Sequence, residues 1–179
     1  RMARILDLCR ARGVAVIEDA CHGLGGRGLD ERGAARALGA LGDVGCFSFF
    51  SNKNMTTGEG GMVVTDRDDV AVALRALRSH GMTTLTWDRH RGHAATYDVT
   101  RHGFNYRIDE VRSALGRVQL EGLPARNAQR RVLTQAYWRE LEALEACGWV
   151  LPFKQGYEAA VDLEASACHL LTVVAPDAE

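Results

Sequence analysis

A short β-branched run, VAVIED at residues 14–19, most strongly constrains what this chain can fold into. It is almost wholly apolar before it ends in two carboxylates, and it directly follows a helical pattern over residues 2–12 that Gly13 closes. Such a run is typical of a buried parallel strand that reaches the edge of its sheet. The order of helix and then strand therefore predicts an α/β fold.

The remainder of the sequence reads as further short strands and helices separated by loops. Strands are predicted at 46–50, 61–65 and 169–176, and helices at 66–81, 108–123 and 124–148. Residues 23–45 are rich in glycine, arginine and alanine, which favours a loop with one weak helical turn. Residues 82–106 show neither the hydrophobic periodicity of a helix nor that of a strand. Their aromatic, basic and hydroxyl side chains indicate a long functional or interface loop.

Composition narrows the classes of function. With 179 residues, 46% of them hydrophobic, the chain can bury one sizeable core. The formal net charge of -1 provides no general attraction for nucleic acid or an anionic membrane. No apolar run approaches the ~20 residues of a membrane-spanning helix, and residues 1–13 lack the apolar core of a signal peptide. We therefore expect a cytoplasmic protein.

The five cysteines are odd in number, widely scattered and never in C-x-x-C spacing. This pattern argues against a disulfide framework and against a structural zinc site, so we expect reduced thiols and no metal. The sequence starts with Arg1 and closes just after a strand-like run. For that reason we also expect a piece of a longer chain.

Two charged residues follow two of the predicted strands: Asp19 follows VAVIE, and Lys53 follows CFSFFSN. Because ligands of open parallel sheets gather at the carboxyl ends of strands, we expect both side chains on one rim. A lysine partly desolvated by Phe47, Phe49 and Phe50 is a usable amine nucleophile toward an aldehyde. A carboxylate opposite suits a protonated pyridine nitrogen, as pyridoxal phosphate chemistry requires, although solvated surface residues have the same sequence pattern.

Several linked motifs are more specific than either residue alone. In chain order they are VIEDACHGLG, GDVGCFSFFSNKNMTTGEGGMVVT, LRSHG, GFNYRIDEVRSALGRVQL and CHLLTVV, and they cover most of residues 2–175. This set resembles the DegT/DnrJ/EryC1/StrS family of pyridoxal-phosphate-dependent sugar aminotransferases. The resemblance implies an α/β fragment of the fold type I large domain over residues 1–122. A long helix and the start of the smaller, incomplete C-terminal domain would follow over 123–179.

The resemblance also implies roles for five residues. Lys53 would carry pyridoxal phosphate as a Schiff base and shuttle the proton between substrate and cofactor, and Asp19 would pair with the pyridinium nitrogen. His22 would lie near the ring oxygen of the cofactor, and Ser48 would bind its phosphate. Asn105 would reach the phosphate from the neighbouring subunit. Some relatives are dehydratases with histidine at the lysine position, so the presence of Lys53 favours transamination.

The implied reaction moves an amino group from glutamate or glutamine to a keto sugar, commonly nucleotide-linked, by a ping-pong mechanism in a homodimer. The expected partners are the small-molecule sugar, the amino donor and a second copy of the chain, without nucleic acid or membrane. Two alternatives stay open: a cyclitol or aminohydroxybenzoate-type member of the same family, and a non-catalytic regulatory homologue. We expect this chain by itself to hold the cofactor weakly and to lack full activity.

Overall fold

The computed structural model of the protein describes residues 2–83, 96–154 and 165–176. The helices of this part of the chain are α1 Met2–Ala11, α2 Asp68–Leu77, α3 Glu110–Glu121, α4 Leu123–Glu140 and α5 Glu142–Glu145. Its strands are β1 Ile17–Asp19, β2 Arg27–Leu29, β3 Ala35–Ala37, β4 Val44–Ser48 and β5 Gly61–Val64. Helices combined with a partly parallel sheet confirm the predicted α/β class.

A three-stranded sheet has the order β1-β4-β5, and residues 49–60, which join β4 to β5 and contain Lys53, are called the lysine loop below. Strand β1 runs parallel to β4, so that Asp19 is the register partner of Cys46. Strand β4 then pairs antiparallel with β5, ending at Ser48 and Gly61. Because β1 and β4 are parallel, their carboxyl ends share one edge of the sheet, and the chain that leaves Ser48 starts beside Asp19.

The strand predicted over 14–19 is shorter and more exposed than its composition suggests. The paired residues are Ile17–Asp19, and Ile17 is 70% exposed. In the described sheet β1 is an outer strand, which leaves more of its surface open than a central strand would have. The prediction of a parallel strand is confirmed, and the prediction of its burial is wrong.

Residues 23–45 form a β-hairpin, and the predicted loop with a helical turn is wrong. Strands β2 and β3 pair antiparallel, and the Asp30 carboxylate closes the turn by accepting from the amides of Arg32 and Ala34 at 2.9 and 2.8 Å. The inward position of β2 is Gly28, over which Leu38 and Leu41 lie. A glycine at that position hides the alternation of apolar and polar residues by which a strand is recognised.

Helices α2 and α3 lie where the pattern predicts them. Helix α2 begins with Asp68 and Asp69, and the Asp109 carboxylate caps α3 by accepting from the amide of Arg112 at 2.8 Å. The helix predicted over 124–148 is interrupted at Leu141, between α4 and α5.

The strand predicted over 169–176 is wrong: in the part of this segment that pairs, Val174 makes an isolated bridge with Val150. An extended segment becomes a strand only beside a neighbour to which it can bond along its length. Of the predicted loop over 82–106, residues 84–95 lie outside the described residues.

The apolar core lies between the lysine loop and the start of α4. Phe49, Met55 and Leu123 are buried together, and Leu24 and Phe47 pack against them. A second cluster forms around Trp138 and Leu151. Within residues 2–83, 96–154 and 165–176, no helix combines the length and the hydropathy needed to cross a membrane.

Candidate active site

The lysine loop is held closed at its base by the backbone of Phe49, directly after β4. The Phe49 amide donates to the carbonyl of Gly60 at 2.9 Å, and the Phe49 carbonyl accepts from the Thr57 amide at 3.0 Å. Gly60 has a φ of 149°, and a Cβ atom there would lie 2.7 Å from the Thr57 hydroxyl oxygen. Only glycine fits this position without a shift, which explains the glycine that precedes β5.

Lys53 lies at the tip of this loop, and its amine contacts a histidine from the other side of the site. Lys53 Nζ lies 2.8 Å from His22 Nε2. Because an ammonium group donates and cannot accept, His22 Nε2 accepts this bond when Lys53 is protonated, and the proton of the neutral ring then lies on Nδ1. Lys53 is half-buried and His22 is exposed, so the pair lies at the edge of the protein surface.

Asp19 ends β1 and is kept ionised by its neighbours. The Cys21 thiol, which donates to the carboxylate, and then the Cys21 backbone amide, 3.1 Å from Oδ1, hold the pKa of Asp19 below its usual range. The positive charges that His22 and Lys53 carry when protonated lower this pKa further. Asp19 and Lys53 therefore lie near each other, as the positions of the strand ends predict, and His22 lies with them.

Cys21 has a second part in this arrangement, which sequence reasoning did not find. The hydrogen bond to Asp19, and then burial, raise the pKa of the Cys21 thiol. The protonated thiol is consequently a donor to Asp19 and a poor nucleophile. The one available signal was the spacing, since Cys21 lies two residues after a carboxylate at a strand end.

Glu18, next to Asp19, points into the fold and has a structural task. Its carboxylate accepts from the amides of Gly39, Leu41 and Gly42 at 3.0, 2.6 and 2.7 Å. These three bonds tie the chain after β3 to the end of β1. Because successive side chains of a strand point to opposite faces, fixing Glu18 inward directs Asp19 outward, where the exposed rim lies.

His169 lies behind His22 and is itself held by a pair of buried amides. The rings of His22 and His169 are 4.3 Å apart between centroids and tilted by 40°, and His169 Nδ1 lies 2.7 Å from Asn54 Oδ1. Asn54 Nδ2 donates to Asn127 Oδ1 at 2.8 Å and to the Ala167 carbonyl at 2.7 Å. We refer to Asn54 and Asn127 as the amide pair.

Burial favours the neutral form of the His169 ring. Removal from water lowers the pKa of His169, and the positive charges of His22, Lys53 and Arg130 lower it further. A neutral His169 ring can lie against His22 without adding a further positive charge beside Lys53. Sequence analysis found neither His169 nor the amide pair, because the three residues come together only through tertiary contacts.

A cavity of about 1080 Å³ opens beside Asp19 and His22. Its wall is formed by the end of β1, the start of the hairpin, one side of α4 and residues 165–172. Arg27, Thr134 and Trp138 line it together with His169. Lys53 contacts His22, which lines the cavity.

Ser48 and Asn105 lie at two different places relative to Lys53. Ser48 ends β4, and its hydroxyl oxygen accepts from the Phe50 amide at 3.3 Å. Asn105 is exposed and forms a backbone bridge with Ser79 after α2. The structure thus brings Asp19, His22 and Lys53 together, with Ser48 at the same strand edge, and places Asn105 on the outer surface beside α2.

The aromatic residues before Lys53 serve the core more than the amine. Phe49 is buried with Met55 and Leu123, Phe47 packs on that cluster, and Phe50 is 44% exposed. The expectation that all three rings shield the lysine is therefore not what their packing shows. The group that contacts the amine directly is His22.

Comparison with known proteins places this geometry in a family. The profile of the DegT/DnrJ/EryC1/StrS aminotransferase family matches residues 1–178. The chain belongs to this family. The match confirms the resemblance predicted from the motif order, and it includes Asp19, His22 and Lys53.

Individual proteins are similar to the chain in sequence, and two of the solved structures are similar to it in fold as well. It is 34% identical over 145 residues to the uncharacterized protein MJ1066 of Methanocaldococcus jannaschii, covering 80% of this chain and 36% of MJ1066. The S. venezuelae DesV structure, in complex with a ketimine intermediate, is 31% identical with a TM-score of 0.73 over 96% of this chain and 40% of DesV. NtdA from Bacillus subtilis with bound cofactor PMP is 26% identical, with a TM-score of 0.73 over 97% of this chain and 35% of NtdA.

The chain therefore spans between a third and a half of the length of these relatives. Its fold is that of the corresponding part of a fold type I pyridoxal-phosphate aminotransferase, which confirms the predicted fold class. The described residues hold no group of three or more histidine, cysteine or acidic side chains suited to a metal ion.

Proposed function

We propose that this protein is a pyridoxal-phosphate-dependent aminotransferase that transfers an amino group from glutamate or glutamine to a keto sugar, commonly nucleotide-linked. The observation that carries the proposal is the contact of Lys53 Nζ with His22 Nε2 at 2.8 Å, beside the ionised carboxylate of Asp19. This contact joins a primary amine, an imidazole and a carboxylate at the shared edge of β1 and β4. Family membership supports the same reaction class.

The residues present fit the cofactor by their chemistry. An aldehyde requires a primary amine, which Lys53 provides, and a protonated pyridine nitrogen requires an ionised partner, which Asp19 provides because its pKa is lowered by Cys21. His22 is an exposed imidazole at the cavity wall, and the Ser48 hydroxyl at the end of β4 is suited to a phosphate oxygen. Bound pyridoxal phosphate would supply an electron sink at this site.

In this proposal each protein group has one task. Lys53 would hold the cofactor through its amine and, once the amino donor has taken its place, would hold and move the proton at its Nζ atom. Asp19, an ionised carboxylate, would pair with the pyridine nitrogen and favour its protonated form. The same Lys53 amine would serve the donor half and then the acceptor half, and the order would be ping-pong because the keto product of the donor leaves before the keto acceptor binds.

The substrate class is supported by the space beside these residues. A cavity of about 1080 Å³ is large for a small amino acid alone and suits a sugar with an attached group. Arg27 on its wall offers a positive charge that a phosphate-bearing sugar would neutralise. A cyclitol or aminohydroxybenzoate-type substrate would use the same amine and carboxylate. An activity assay with each class of substrate would distinguish these alternatives from a keto sugar.

We propose a homodimer as well, in which Asn105 reaches the phosphate bound by the partner. The segment that contains Asn105 is exposed and aromatic: Phe104 and Tyr106 stack at 5.1 Å between centroids, and Tyr106 is 74% exposed. Aromatic side chains in such positions are enriched at protein interfaces. The dimer would cover these rings and bring Asn105 to the second site.

We also propose the domain division at residue 122 and a location in the cytoplasm. Leu123 starts α4 from within the core of the lysine loop, and α4 then runs away from the sheet toward the second cluster at Trp138. Residues 1–122 would thus belong to the large domain, and residues 123–179 would begin the smaller one. The five cysteines are free, as a reducing compartment requires.

The sequence makes an unusually direct experiment possible, because its two lysines are Lys53 and Lys154. Lys154 is paired with Glu145 at 2.6 Å and with Glu142 at 3.2 Å, and these contacts raise its pKa. A protonated and paired amine is a poor nucleophile. Lys154 is therefore an internal control in every labelling measurement.

The test is to add pyridoxal phosphate to the wild-type chain, Lys53→Ala and Lys154→Ala, record the absorbance, reduce with borohydride and locate the label by mass spectrometry. We expect a yellow band and a reduced adduct on Lys53 in the wild type and in Lys154→Ala, and neither in Lys53→Ala. Adducts on both lysines at equal rates, in this chain and in a version extended to the length of its relatives, would refute the proposal. A label on Lys53 that no amino donor removes in the extended chain would indicate the non-catalytic homologue.

A further inference from the structure

The amine of Lys53 takes part in a closed cycle of contacts, and this cycle is the basis of a further inference. Lys53 Nζ contacts His22, the His22 ring lies against the tilted ring of His169, and His169 Nδ1 lies 2.7 Å from Asn54 Oδ1. Asn54 is the residue that follows Lys53 in the sequence. The peptide backbone between Lys53 and Asn54 therefore closes the cycle of contacts. The position of the lysine amine depends on each contact in this cycle.

We propose that His169 is a positioning residue for Lys53: anchored through Nδ1 to Asn54, its ring holds His22 so that His22 Nε2 faces the lysine amine. This inference rests on the proposed function in one respect, since it gives a purpose to placing the amine. The contacts that carry it are independent of any bound cofactor.

His22 has little else to fix its orientation. The ring is exposed, and among the described residues it makes one hydrogen bond, to Lys53, and one ring contact, to His169. An exposed side chain with a single flexible hydrogen-bond partner samples several rotamers. The ring of His169, in tilted contact at 4.3 Å between centroids, restricts His22 to the rotamer facing Lys53.

His169 is held much more firmly, because the amide pair orients the atom it binds. Asn54 and Asn127 are 6% and 2% exposed. Asn54 Nδ2 already donates to Asn127 Oδ1 and to the Ala167 carbonyl, so the atom that faces His169 is the Asn54 oxygen. His169 must then donate from a protonated Nδ1, which fixes its tautomer as well as its ring plane.

The backbone before His169 is held by the lysine loop and by α4. Asn54 binds the carbonyl of Ala167, and Arg131 binds the carbonyl of Ser166 at 3.3 Å. Cys168, between these residues and His169, has a φ of 45°, a left-handed conformation that a cysteine adopts only when its surroundings enforce it. This turn directs the ring of His169 toward His22.

The charges around His169 favour the same role. The charged and titratable groups that act on it are His22, Lys53 and Arg130, all of which carry or can carry positive charge. A protonated His169 would repel both His22 and the lysine amine. The neutral ring can lie against His22 without that repulsion, which is the state the positioning role requires.

One consequence concerns the organisation of the protein. His169 lies in the segment assigned to the start of the smaller domain, whereas Lys53 and Asn54 lie in the lysine loop. The inference therefore makes the C-terminal segment a part of the site rather than a covering for it. Loss of residues 165–172 would free His22 and leave Lys53 without its neighbour.

Two substitutions separate the ring of His169 from its hydrogen bond. His169→Phe keeps an aromatic ring but cannot donate to Asn54, whereas His169→Asn can place an amide donor near the Nδ1 position but has no ring to lie against His22. Val174→Ala is the matched control, since it removes an exposed side chain from the same segment and leaves the cycle of contacts intact. Thermal unfolding of all variants confirms that they are folded.

The first readout is the ¹⁵N NMR spectrum of His22 in the chain without cofactor. In the wild type and in Val174→Ala we expect the Nδ1–H tautomer at His22, with Nε2 accepting from Lys53. In both His169 variants we expect this tautomer preference at His22 to be lost. A His22 spectrum unchanged in folded variants of both kinds would overturn the inference.

The second readout is the rate at which pyridoxal phosphate is captured at Lys53 relative to Lys154. A misplaced reacting group loses up to about 100-fold in rate, so we expect a roughly tenfold or greater fall in this ratio in both His169 variants. If the His22 spectrum changes but the wild type captures no cofactor, the positioning role stands and the proposed function falls. If all variants capture cofactor like the wild type with an unchanged His22 spectrum, the positioning role falls and the proposed function stands.

Discussion

Lys53 Nζ and His22 Nε2 lie 2.8 Å apart although 31 residues separate them in the sequence. The contact exists because β1 and β4 are parallel neighbours, so that the chain leaving each strand emerges at the same edge. His22 follows β1 by three residues, and Lys53 follows β4 by five. The hairpin between them adds a wall of the cavity without disturbing this edge.

Replacing Asp19 should weaken cofactor binding. Asp19→Asn keeps the size of the side chain but removes the charge that pairs with a protonated pyridine nitrogen, a bond worth about 1.5 to 3 kcal/mol. We expect the dissociation constant for pyridoxal phosphate to rise by about 10- to 100-fold, measured by absorbance titration of the longer chain. Asp66→Asn is the control, because the Asp66 side chain is 81% exposed at a surface ion pair. Equal affinities in the two variants would contradict the assignment.

Replacing Glu18 should destabilise the fold. Glu18→Ala leaves the amides of Gly39, Leu41 and Gly42 without their common acceptor. We expect the free energy of unfolding to fall by about 2 to 3 kcal/mol, measured by denaturant titration. Glu142→Ala, which removes a 70% exposed carboxylate paired with Lys154, should change it by less than about 1 kcal/mol. A small effect of Glu18→Ala would show that water replaces the carboxylate.

Stability should fall in mildly acidic solution because of His169. Its pKa is lowered in the folded protein, first by burial and then by neighbouring positive charges, from an ordinary value of 6.5. The unfolded chain therefore binds a proton that the folded chain resists, and stability is lost as the pH falls from about 6.5 toward the folded pKa. Unfolding of the wild type and of His169→Phe at pH 7 and pH 5 measures this contribution. The loss on acidification should be smaller in His169→Phe, and an equal loss would refute the assignment.

Replacing Tyr106 should weaken the proposed homodimer. Tyr106→Asp places a charge on an exposed aromatic stack that the second copy would cover, and buried aromatic anchors contribute about 2 kcal/mol or more to an interface. The dissociation constant of the dimer should rise by roughly 30-fold or more in sedimentation velocity. Tyr137→Asp on α4, 55% exposed, is the control. Identical dissociation constants for the two variants would place the interface elsewhere.

Much of the candidate site could be predicted from local patterns. Asp19 at the end of a β-branched run and Lys53 in a glycine-containing turn each have a local signature, and parallel pairing of the two strands is enough to place them on one edge. The helix start at Asp109 could be predicted equally well, because a capping carboxylate accepts from an amide three residues later. These features depend on neighbours in the sequence, and periodicity reports them.

The hairpin over 23–45 and the amide pair illustrate why the remainder could not be predicted. Gly28 interrupts the apolar alternation of β2, and its place is filled by Leu38 and Leu41 from later in the chain. On α4 the inward positions Asn127 and Thr134 are polar, so the buried face of this helix does not stand out as apolar. Burial of an amide is favourable only when its partners arrive from elsewhere, and those partners are Asn54 and the Leu24 carbonyl.

The sequence by itself determined the α/β class, the family, and the edge on which Asp19 and Lys53 meet, because strand ends, turns and caps are set by residues close together in the chain. Only the tertiary structure decided that His22 faces the lysine amine, that His169 stands behind it, and that the amide pair holds His169 in place. The reason is physical. A hydrogen bond between Asn54 and His169 spans 115 residues, and it forms only after the lysine loop, α4 and the C-terminal segment have packed together.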